Sequence, residues 1–452
     1  MPASIMKEII GMDERQNLKD TTRQLMAFLE NSPTSFHAVE NMANRLENEG
    51  FTRLNEGQCW QIEAGGRYFV TRNMSSLIAF KVPGKDFSGF QIMTSHSDSP
   101  TFKLKENPEM EVEKHYVKLN VEKYGGMLCA PWFDRPLSIA GRLVVREGNR
   151  LVTKLVNVDR DLVMIPNLAI HMNRQVNEGY AYNPQSDMLP LYGGEEAAGT
   201  LMETIAGSAG VEKEHILGHD LYLYSRMKGC IWGANEEFFS CGRIDDLQCA
   251  YASLEGFLAG GHSDSVSVHA VLDNEEVGST TKQGAASTFL LDTLKRLNSA
   301  LGRTDEQYLA ALASSFMVSA DNAHGVHPNH TDKADPTNRP YLNGGIVVKF
   351  NANQKYTTDG VSAAVFKSLC QAADVPVQTF ANRSDMVGGS TLGNISNTNV
   401  ALNTVDIGLP QLAMHSPYET AGIKDTVYLI RAAREFFSTC LCAEADGTYR
   451  MD

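Results

Sequence analysis

The sequence predicts an α/β protein in which helices flank a central, mostly parallel or mixed sheet and a β-rich domain is inserted. Helix-like and strand-like runs alternate from about residue 240 onward, a pattern typical of a sheet covered by helices on both faces. Several apolar runs end directly in polar clusters. Residues 100–237 interrupt the alternation with strand-like segments. At 452 residues the chain is long enough for about two or three domains.

The first 99 residues predict two helices followed by three strands. Apolar residues recur at helical spacing in residues 25–29 and 36–46. Ser32-Pro33-Thr34 between them supplies a helix break and a candidate N-cap. The segments that predict strands are residues 68–71, 77–82 and 90–94.

The interruption, residues 100–237, contains two segments that predict strands, residues 117–121 and 141–156, with a turn at 147–149. Both of its ends flank polar clusters, and a β-rich module in such a position commonly serves as a lid or an assembly surface. We therefore expect one discontinuous domain that carries the functional site, residues 1–99 and 238–452, with residues 100–237 inserted into it.

The remainder of the chain predicts repeated helices and strands, as a helix-covered sheet requires. The helix-like runs are residues 247–258, 288–301 and 361–373. The strand-like runs are residues 266–272, 316–320, 346–350 and 400–407.

Charge, hydropathy and cysteine usage exclude several classes of protein. The formal net charge of −14 argues against a nucleic-acid partner and against anchoring on anionic membranes. No apolar run approaches the roughly 18–20 residues that a membrane span needs, and the first residues lack the basic-then-apolar layout of a secretory signal. The eight cysteines are scattered without a CxxC pair, which predicts reduced thiols in the cytoplasm.

Polar side chains follow several of the apolar runs and open one predicted helix. Because ligands bind at the carboxyl ends of the strands in open α/β sheets, we expect these side chains to meet. Imidazole and carboxylate groups together suit zinc and its first-row neighbours, and oxygen-rich sites also accept manganese or cobalt. The clusters are His96-Ser97-Asp98, Asp245-Asp246, Glu275-Glu276, Asp321 and His415.

The remaining local patterns indicate less about catalysis. The triplet His262-Ser263-Asp264 repeats His96-Ser97-Asp98 but precedes the strand-like residues 266–272, so we predict a surface turn at the amino end of that strand. The chain has no GxSxG nucleophile elbow of a serine hydrolase. Gly388-Gly389-Ser390-Thr391 lacks the Gly-Lys-Ser/Thr ending of a phosphate-binding loop, and we interpret it as a substrate-side loop or a structural turn.

Four longer strings resemble the aspartyl aminopeptidase family, which includes the vacuolar aminopeptidase I group. The resemblance runs in order along nearly the whole chain, and it also covers Trp132-Phe133-Asp134-Arg135 and His327-Pro328-Asn329-His330. Four ordered motifs are far more specific than any one of them. The strings are His96-Ser97-Asp98-Ser99-Pro100, Asp273-Asn274-Glu275-Glu276-Val277-Gly278-Ser279, Ser319-Ala320-Asp321-Asn322-Ala323-His324 and Pro410-Gln411-Leu412-Ala413-Met414-His415-Ser416.

The resemblance implies a two-zinc aminopeptidase with a zinc-exopeptidase-like fold that hydrolyses the N-terminal residue of peptides. The residues that match the family's metal ligands are His96, Asp245, Glu276, Asp321 and His415. Asp245 matches the bridging ligand, Glu275 the general base, and Asp98 the residue that orients the first histidine. Asp246 departs from the asparagine of many relatives. The residues alone would allow Glu275 and Glu276 to exchange roles.

The resemblance also implies an assembly and a substrate pocket. Residues 100–237 would form a dimerisation domain, dimers would assemble into a tetrahedral dodecamer, and His171 would reach into a neighbouring subunit's site. His324 and Lys349 match positions that contact the substrate side chain in members specific for acidic residues. Tyr356 is a further candidate for substrate binding.

The preference for the N-terminal residue is the point on which the sequence decides least. Lys349 favours Asp or Glu through a charge-assisted hydrogen bond, whereas Gly388-Gly389-Ser390-Thr391 is nearer to the members that prefer neutral residues. We expect N-terminal Asp or Glu. The alternatives are the same chemistry with a Leu-like preference, a related two-metal dipeptidase or deacylase, and a non-enzymatic peptide-binding scaffold. The scaffold predicts a missing ligand or base, yet every matched position is filled.

Overall fold

The computed structural model describes residues 3–261 and 263–452, with side chains from residue 15 onward. His262, which belongs to the triplet predicted as a surface turn, lies outside the described residues. Residues 1 and 2, which belong to the N-terminal segment predicted to lack a secretory signal, also lie outside them. Ser263 and Asp264 precede the strand that begins at Val266, as predicted.

The helices predicted at residues 25–29 and 36–46 are present, but the first extends much further toward the N-terminus. Most residues between 15 and 24 are exposed, so they carry little of the apolar stripe by which periodicity reveals a helix. None of the helices in the described ranges is long and apolar enough to cross a membrane. The α-helices there are α1 (Ala3–Glu30), α2 (Ser35–Asn48), α3 (Leu201–Ala209), α4 (Ile244–Ala259), α5 (Phe289–Ala300), α6 (Asp305–Ala313), α7 (Gly360–Ala372), α8 (Leu392–Ser396) and α9 (Asp425–Phe436).

The strands fall into two groups along the chain. The first half contains β1 (Thr52–Leu54), β2 (Arg67–Arg72), β3 (Ser76–Lys81), β4 (Phe90–His96), β5 (Thr101–Val112), β6 (Tyr116–Tyr124), β7 (Leu137–Glu147), β8 (Arg150–Asn157), β9 (Leu191–Gly194), β10 (Ile216–Ser225) and β11 (Cys230–Trp232). The second half contains β12 (Phe238–Cys241), β13 (Val266–Leu272), β14 (Phe316–Ala320), β15 (Ala323–His324), β16 (Ile346–Phe350), β17 (Val377–Ala381), β18 (Asn403–Gly408), β19 (Pro410–Leu412), β20 (Glu419–Gly422), β21 (Leu441–Ala445) and β22 (Thr448–Met451).

Nine strands form the central sheet, in the order β1-β2-β3-β13-β4-β14-β18-β16-β17. Five neighbouring pairs run parallel and three run antiparallel, which confirms the predicted mostly parallel or mixed sheet. All seven residues of β13 are buried. A strand covered on both faces favours apolar residues at most positions, and five of the seven residues of β13 are apolar.

Helices cover both faces of this sheet, as the alternating sequence pattern predicts. α1, α2, α4, α7 and α9 bury their apolar residues in one core with one face of the sheet. α5, α6 and α8 contribute to a second core on the other face. Side-chain caps fix two helix starts: Thr304 with Gln307 begins α6, and Asp359 with Ser362 begins α7.

The second sheet is wholly antiparallel and is built from the interruption. Its order is β8-β7-β10-β5-β6-β9, and it has its own apolar core. The predicted turn at 147–149 joins β7 to β8. β11, the last strand before residue 237, pairs with β12 in a different sheet.

That third sheet has the order β11-β12-β20-β19-β15 and begins where two central strands end. The chain passes from β14 into β15 and from β18 into β19 within a few residues. The two connections between these sheets lie close together. A Cβ atom placed on Gly408 would be 2.0 Å from the carbonyl oxygen of Asp321. Only a glycine allows the backbone that follows β14 to approach β18 this closely.

Candidate metal centre

Three neighbouring strands of the central sheet end at one edge. β4 ends at His96, which is in parallel register with Leu272 at the end of β13. β14, on the other side of β4, ends one residue before Asp321. Glu275 and Glu276 lie in a short 3-10 turn that follows β13. Because parallel strands present their carboxyl ends at the same edge, the side chains that follow them meet.

The remaining candidate ligands come from the start of a helix and from a loop. Asp245 lies at the start of α4, is 3% exposed, and is joined to Asp246 by a cis peptide bond. His415 lies in the loop between β19 and β20, with φ at +67°. All five side chains predicted as metal ligands therefore converge on one edge of the sheet.

Asp245 lies between two pairs of side chains, with one carboxylate oxygen facing each pair. Its Oδ1 is 3.4 Å from Nε2 of His96, and that nitrogen is 3.7 Å from Oδ1 of Asp321. Its Oδ2 is 3.6 Å from Nε2 of His415, and that nitrogen is 3.4 Å from Oε2 of Glu276. The arrangement is two histidine–carboxylate pairs that share one carboxylate.

The donor atoms fit divalent metal ions. Oδ1 of Asp245 and Oε1 of Glu276 are buried and have no hydrogen-bond partner among the described residues. Ligand atoms of Asp245, Glu276 and His415 all lie within 4.8 Å of one another, and the same holds for His96 with Glu275 and Glu276. Imidazole nitrogens with carboxylate oxygens are the donor set that zinc prefers in open sites. Buried acceptors without a donor are what a cation would satisfy.

The pKa shifts of the site residues also favour bound cations. Burial raises the pKa of Glu276 well above the usual range of a carboxyl group, and the Asp245 carboxylate raises it further. Burial alone would lower the pKa of His96, but contacts with Asp245, Asp321 and Asp98 raise it well above its ordinary value. The cluster therefore holds an excess of acidic groups in a buried place, and bound cations would offset their mutual repulsion.

Asp98 contacts the site through both its backbone and its side chain. Its carbonyl oxygen is 3.1 Å from Nδ1 of His96, closer than its carboxylate Oδ1 at 3.5 Å. A proton on Nδ1 leaves Nε2 free as a ligand. The carboxylate accepts the backbone N–H groups of Glu275 (3.1 Å) and Glu276 (3.2 Å) and the hydroxyl of Tyr124 (2.7 Å). Asp98 thus fixes both the imidazole and the turn that carries the two glutamates.

Glu275 differs from Glu276 in its contacts. Among the described residues it makes no ion pair with a histidine, whereas Glu276 faces His415. Burial raises the pKa of Glu275 to about 8; His96 opposes this effect, and the Asp321 and Asp98 carboxylates add to it. Its carboxyl group is therefore available for proton transfer rather than held in a pair.

Asp246, which departs from the asparagine that the family resemblance implies for many members, lies beside the candidate ligands His96 and Asp321. Its Oδ2 accepts the backbone N–H of His96 at 3.0 Å, and its side chain is fully buried. An asparagine carbonyl could accept the same hydrogen bond, so the departure preserves this contact.

Lys349, one of the candidate substrate-binding residues, lies beside Asp321. The Lys349 ammonium donates to the carbonyl oxygen of Asn322 (2.8 Å) and is 3.4 Å from Oδ2 of Asp321. Burial alone would lower the pKa of Lys349, but the Asp321 charge raises it. Conversely, burial would raise the pKa of Asp321, and Lys349 with His96 holds it well below its usual range. Lys349 therefore contacts a candidate ligand directly.

Tyr356 and His324 both pack against Phe380, a residue that the sequence analysis did not single out. Nζ of Lys349 is 5.5 Å from the centroid of the Tyr356 ring. Phe380 packs against both Tyr356 (6.3 Å between ring centroids) and His324 (6.0 Å). Phe380 lies on β17 with ordinary strand composition, so no local signal marked it.

His171 does not join the other candidates within one chain. It lies on an exposed turn of the interruption, between β8 and β9. In the part of the chain that the structure describes, it makes no hydrogen bond, ion pair or ring contact with the residues of the centre. Its predicted role in a neighbouring subunit's site stays a prediction.

Glu419 is a further residue that the sequence analysis missed. It is 2% exposed, and its carboxylate accepts backbone N–H groups of Asp245 (3.1 Å) and His415 (2.8 Å). Burial raises its pKa well above the usual range, and Asp245 adds to the effect. Its only signal in the sequence is an acidic residue four positions after His415.

Comparison with known proteins places the chain in a family. Residues 28–437 match the family described as aminopeptidase I zinc metalloprotease (M18). A curated relative from Clostridium acetobutylicum, named probable M18 family aminopeptidase 2, is 48% identical over 432 residues, which cover 94% of this chain and 100% of the relative. A relative of the same name from Pseudomonas aeruginosa is 43% identical over 423 residues, covering 92% and 97% of the two chains.

Solved structures share the fold over almost the full length. A chain in the cryo-EM structure of the Ape4 and Nbr1 complex is 36% identical with a TM-score of 0.90, covering 93% of this chain and 86% of that one. The "S. cerevesiae mApe1 dodecamer" is 28% identical with a TM-score of 0.82, covering 93% and 97%. The chain therefore belongs to the aminopeptidase I zinc metalloprotease family (M18) and is a metallo-aminopeptidase of that family.

Proposed function

We propose that this aminopeptidase uses two divalent cations, zinc in the first instance, to hydrolyse the N-terminal residue of peptides, with Glu275 as the general base. The observation that carries the proposal is the orientation of Asp245, whose two carboxylate oxygens face separate pairs of side chains. A carboxylate that bridges two ions needs one oxygen for each. His96 and Asp321 would hold one ion, and Glu276 and His415 the other.

The cations, when bound, supply Lewis acidity for the scissile carbonyl and lower the pKa of a water molecule toward neutrality. Glu275 takes the proton from that water and later delivers it to the leaving amine. Its carboxyl group is free for this step, since it is not paired with a site histidine among the described residues. Asp98 holds the Glu275 backbone N–H at 3.1 Å, which keeps the carboxyl group aimed at the centre.

Metal content is the test of the two-cation centre. We expect about two zinc ions per subunit in active enzyme, as in two-metal hydrolases generally, with manganese or cobalt able to replace them. Asp245→Ala removes the shared carboxylate and should lower the content of both ions. Fully active enzyme with one ion per subunit would refute the shared role of Asp245.

We propose further that the enzyme prefers N-terminal Asp or Glu. The buried Lys349 ammonium beside Tyr356 supports this preference, since a cation in a closed pocket favours a carboxylate by about 1.5–3 kcal/mol. The negative charge of the nearby Asp321 offsets part of the positive charge of Lys349. A neutral, Leu-like preference is the alternative. His324 would contribute to the same pocket.

Kinetics on Asp-, Glu-, Leu- and Lys-aminoacyl substrates decide between these preferences. Lys349→Leu should lower kcat/KM for Asp and Glu substrates more than for Leu substrates. Because Lys349 also contacts Asp321, zinc content must be measured on the same samples. A Leu preference in the unmodified enzyme that survives Lys349→Leu would contradict the proposal.

The assembly is proposed to be a tetrahedral dodecamer built from dimers, with residues 100–237 as the dimerisation domain and His171 completing a neighbouring site. The mApe1 relative is described as a dodecamer. Exposed apolar side chains on the insertion support a covered surface: Leu151 is 65% exposed, Leu168 57% and Met172 75%. Light scattering should give a particle of about twelve subunits, and a fully active monomer would refute both the assembly and the role of His171.

The enzyme is further proposed to work in the cytoplasm. Its cysteines are free, and the buried Cys241, Cys249 and Cys370 suit a reducing compartment. Fractionation of source cells followed by activity measurement tests this location.

A further inference from the structure

Glu419 connects two segments that are far apart in the sequence. It is the first residue of β20, which pairs with β12 so that Glu419 is opposite Cys241. From this position its Oε2 accepts the backbone N–H of Asp245 at 3.1 Å, and its Oε1 accepts the backbone N–H of His415 at 2.8 Å. Each carboxylate oxygen therefore holds the backbone of a different candidate ligand.

The two ligands that Glu419 holds both lie in irregular backbone. Asp245 lies two residues after Arg243, which has a φ of +62°, at a point where α4 departs from helical geometry. His415 has a φ of +67° and lies in a loop. Neither residue lies in a strand, so its backbone N–H needs an acceptor from another segment of the chain. Holding the backbone N–H groups leaves both side chains free for the centre.

We propose that Glu419 is a positioning residue that sets the relative placement of Asp245 and His415 and thereby the zinc affinity of the centre. The inference rests on the proposed two-cation function of that centre. Groups outside the ligands that orient them typically change metal affinity by about 10–100-fold when removed. Because Asp245 is shared by both halves of the centre, loss of Glu419 should weaken binding of both ions.

A purely structural role is the competing explanation, and the chain supplies a matched control for it. Asp425 is also a fully buried carboxylate that accepts two backbone N–H groups, from Asn343 at 2.6 Å and from Gly345 at 3.1 Å. Neither partner is a candidate ligand. Asp425→Asn therefore tests the loss of such a carboxylate without touching the metal centre.

The experiment measures zinc affinity of the full-length enzyme by competition with chelators of graded strength, alongside thermal unfolding. In Glu419→Gln one oxygen becomes an N–H₂ donor that opposes a backbone N–H, so we expect zinc affinity to fall by about 10–100-fold. Asp425→Asn should lower the unfolding temperature but leave zinc affinity unchanged. Unchanged zinc affinity in folded Glu419→Gln would overturn the proposal.

A second measurement needs no variant and covers the case in which Glu419→Gln fails to fold. In the unmodified enzyme stripped of zinc, hydrogen exchange at the amides of Asp245 and His415 should stay slow, because Glu419 still holds them. Exchange as fast as in exposed loops would overturn the proposal. The zinc stoichiometry of the unmodified enzyme separates this proposal from the proposed function. Fewer than two zinc ions per subunit would refute the proposed function. Two zinc ions per subunit, with unaltered zinc affinity in Glu419→Gln, would refute only the role of Glu419.

Discussion

Glu275 and Glu276 are adjacent, and the structure gives them different contacts, so replacing each with glutamine separates base from ligand. Oε2 of Glu276 lies 3.4 Å from Nε2 of His415, whereas Glu275 makes no ion pair with a histidine among the described residues. The backbone N–H groups of both donate to Asp98 and would still do so after either substitution. Glu275→Gln should therefore keep the fold and the metal and remove only the proton acceptor.

The expected magnitude follows from the step that is lost. General acid–base catalysis contributes about 10²–10⁴-fold, which corresponds to about 3–5 kcal/mol of activation free energy. We expect kcat to fall by at least ~10²-fold in Glu275→Gln, with zinc content unchanged. Glu276→Gln is the matched control: it should lose zinc from the half of the centre that contains His415, and excess zinc should restore part of its activity.

The assay combines kcat and KM on an aminoacyl chromogenic substrate with zinc content determined on the same samples. Loss of zinc in Glu275→Gln with retention in Glu276→Gln would mean that the two roles have to be exchanged. Normal zinc and normal kcat in both variants would refute the assignment of either residue to the reaction.

Three further predictions concern the surroundings of the centre. Gly408→Ala should lower the unfolding temperature and the zinc content, because the added Cβ would lie 2.0 Å from the carbonyl oxygen of Asp321; a variant with normal values would show that the backbone can yield. Asp406→Asn should cost about 1–3 kcal/mol of unfolding free energy in urea, since both carboxylate oxygens accept hydrogen bonds, including one from Thr391 at 2.6 Å; an unchanged midpoint would contradict this. Burial lowers the pKa of His269 to about 3, so the unfolded chain binds a proton that the folded chain does not between pH 6.5 and about 3. Unfolding free energy should thus fall by about 2 kcal/mol from pH 7 to pH 5 because of this residue alone, and His269→Phe should remove that part of the pH dependence; the same slope in both proteins would refute it.

The sequence by itself determined the class of fold and the residues that could form the centre. Alternating runs predicted the helix-covered mixed sheet, because strand and helix periodicities are local properties of the chain. His96, Glu275, Glu276 and Asp321 could be found in the same way, since each follows an apolar run and parallel strands end at a common edge. Their assignment as ligands or base came from family motifs, not from periodicity.

Tertiary structure decided how these groups face one another. The orientation of the two Asp245 oxygens, the contact of Lys349 with Asp321, and the hydrogen bonds of Glu419 join residues up to about 170 positions apart. No sequence period encodes such distances, because hydrogen bonds depend on where folded segments meet rather than on spacing along the chain. The interface that would bring His171 to a site depends in turn on a second chain.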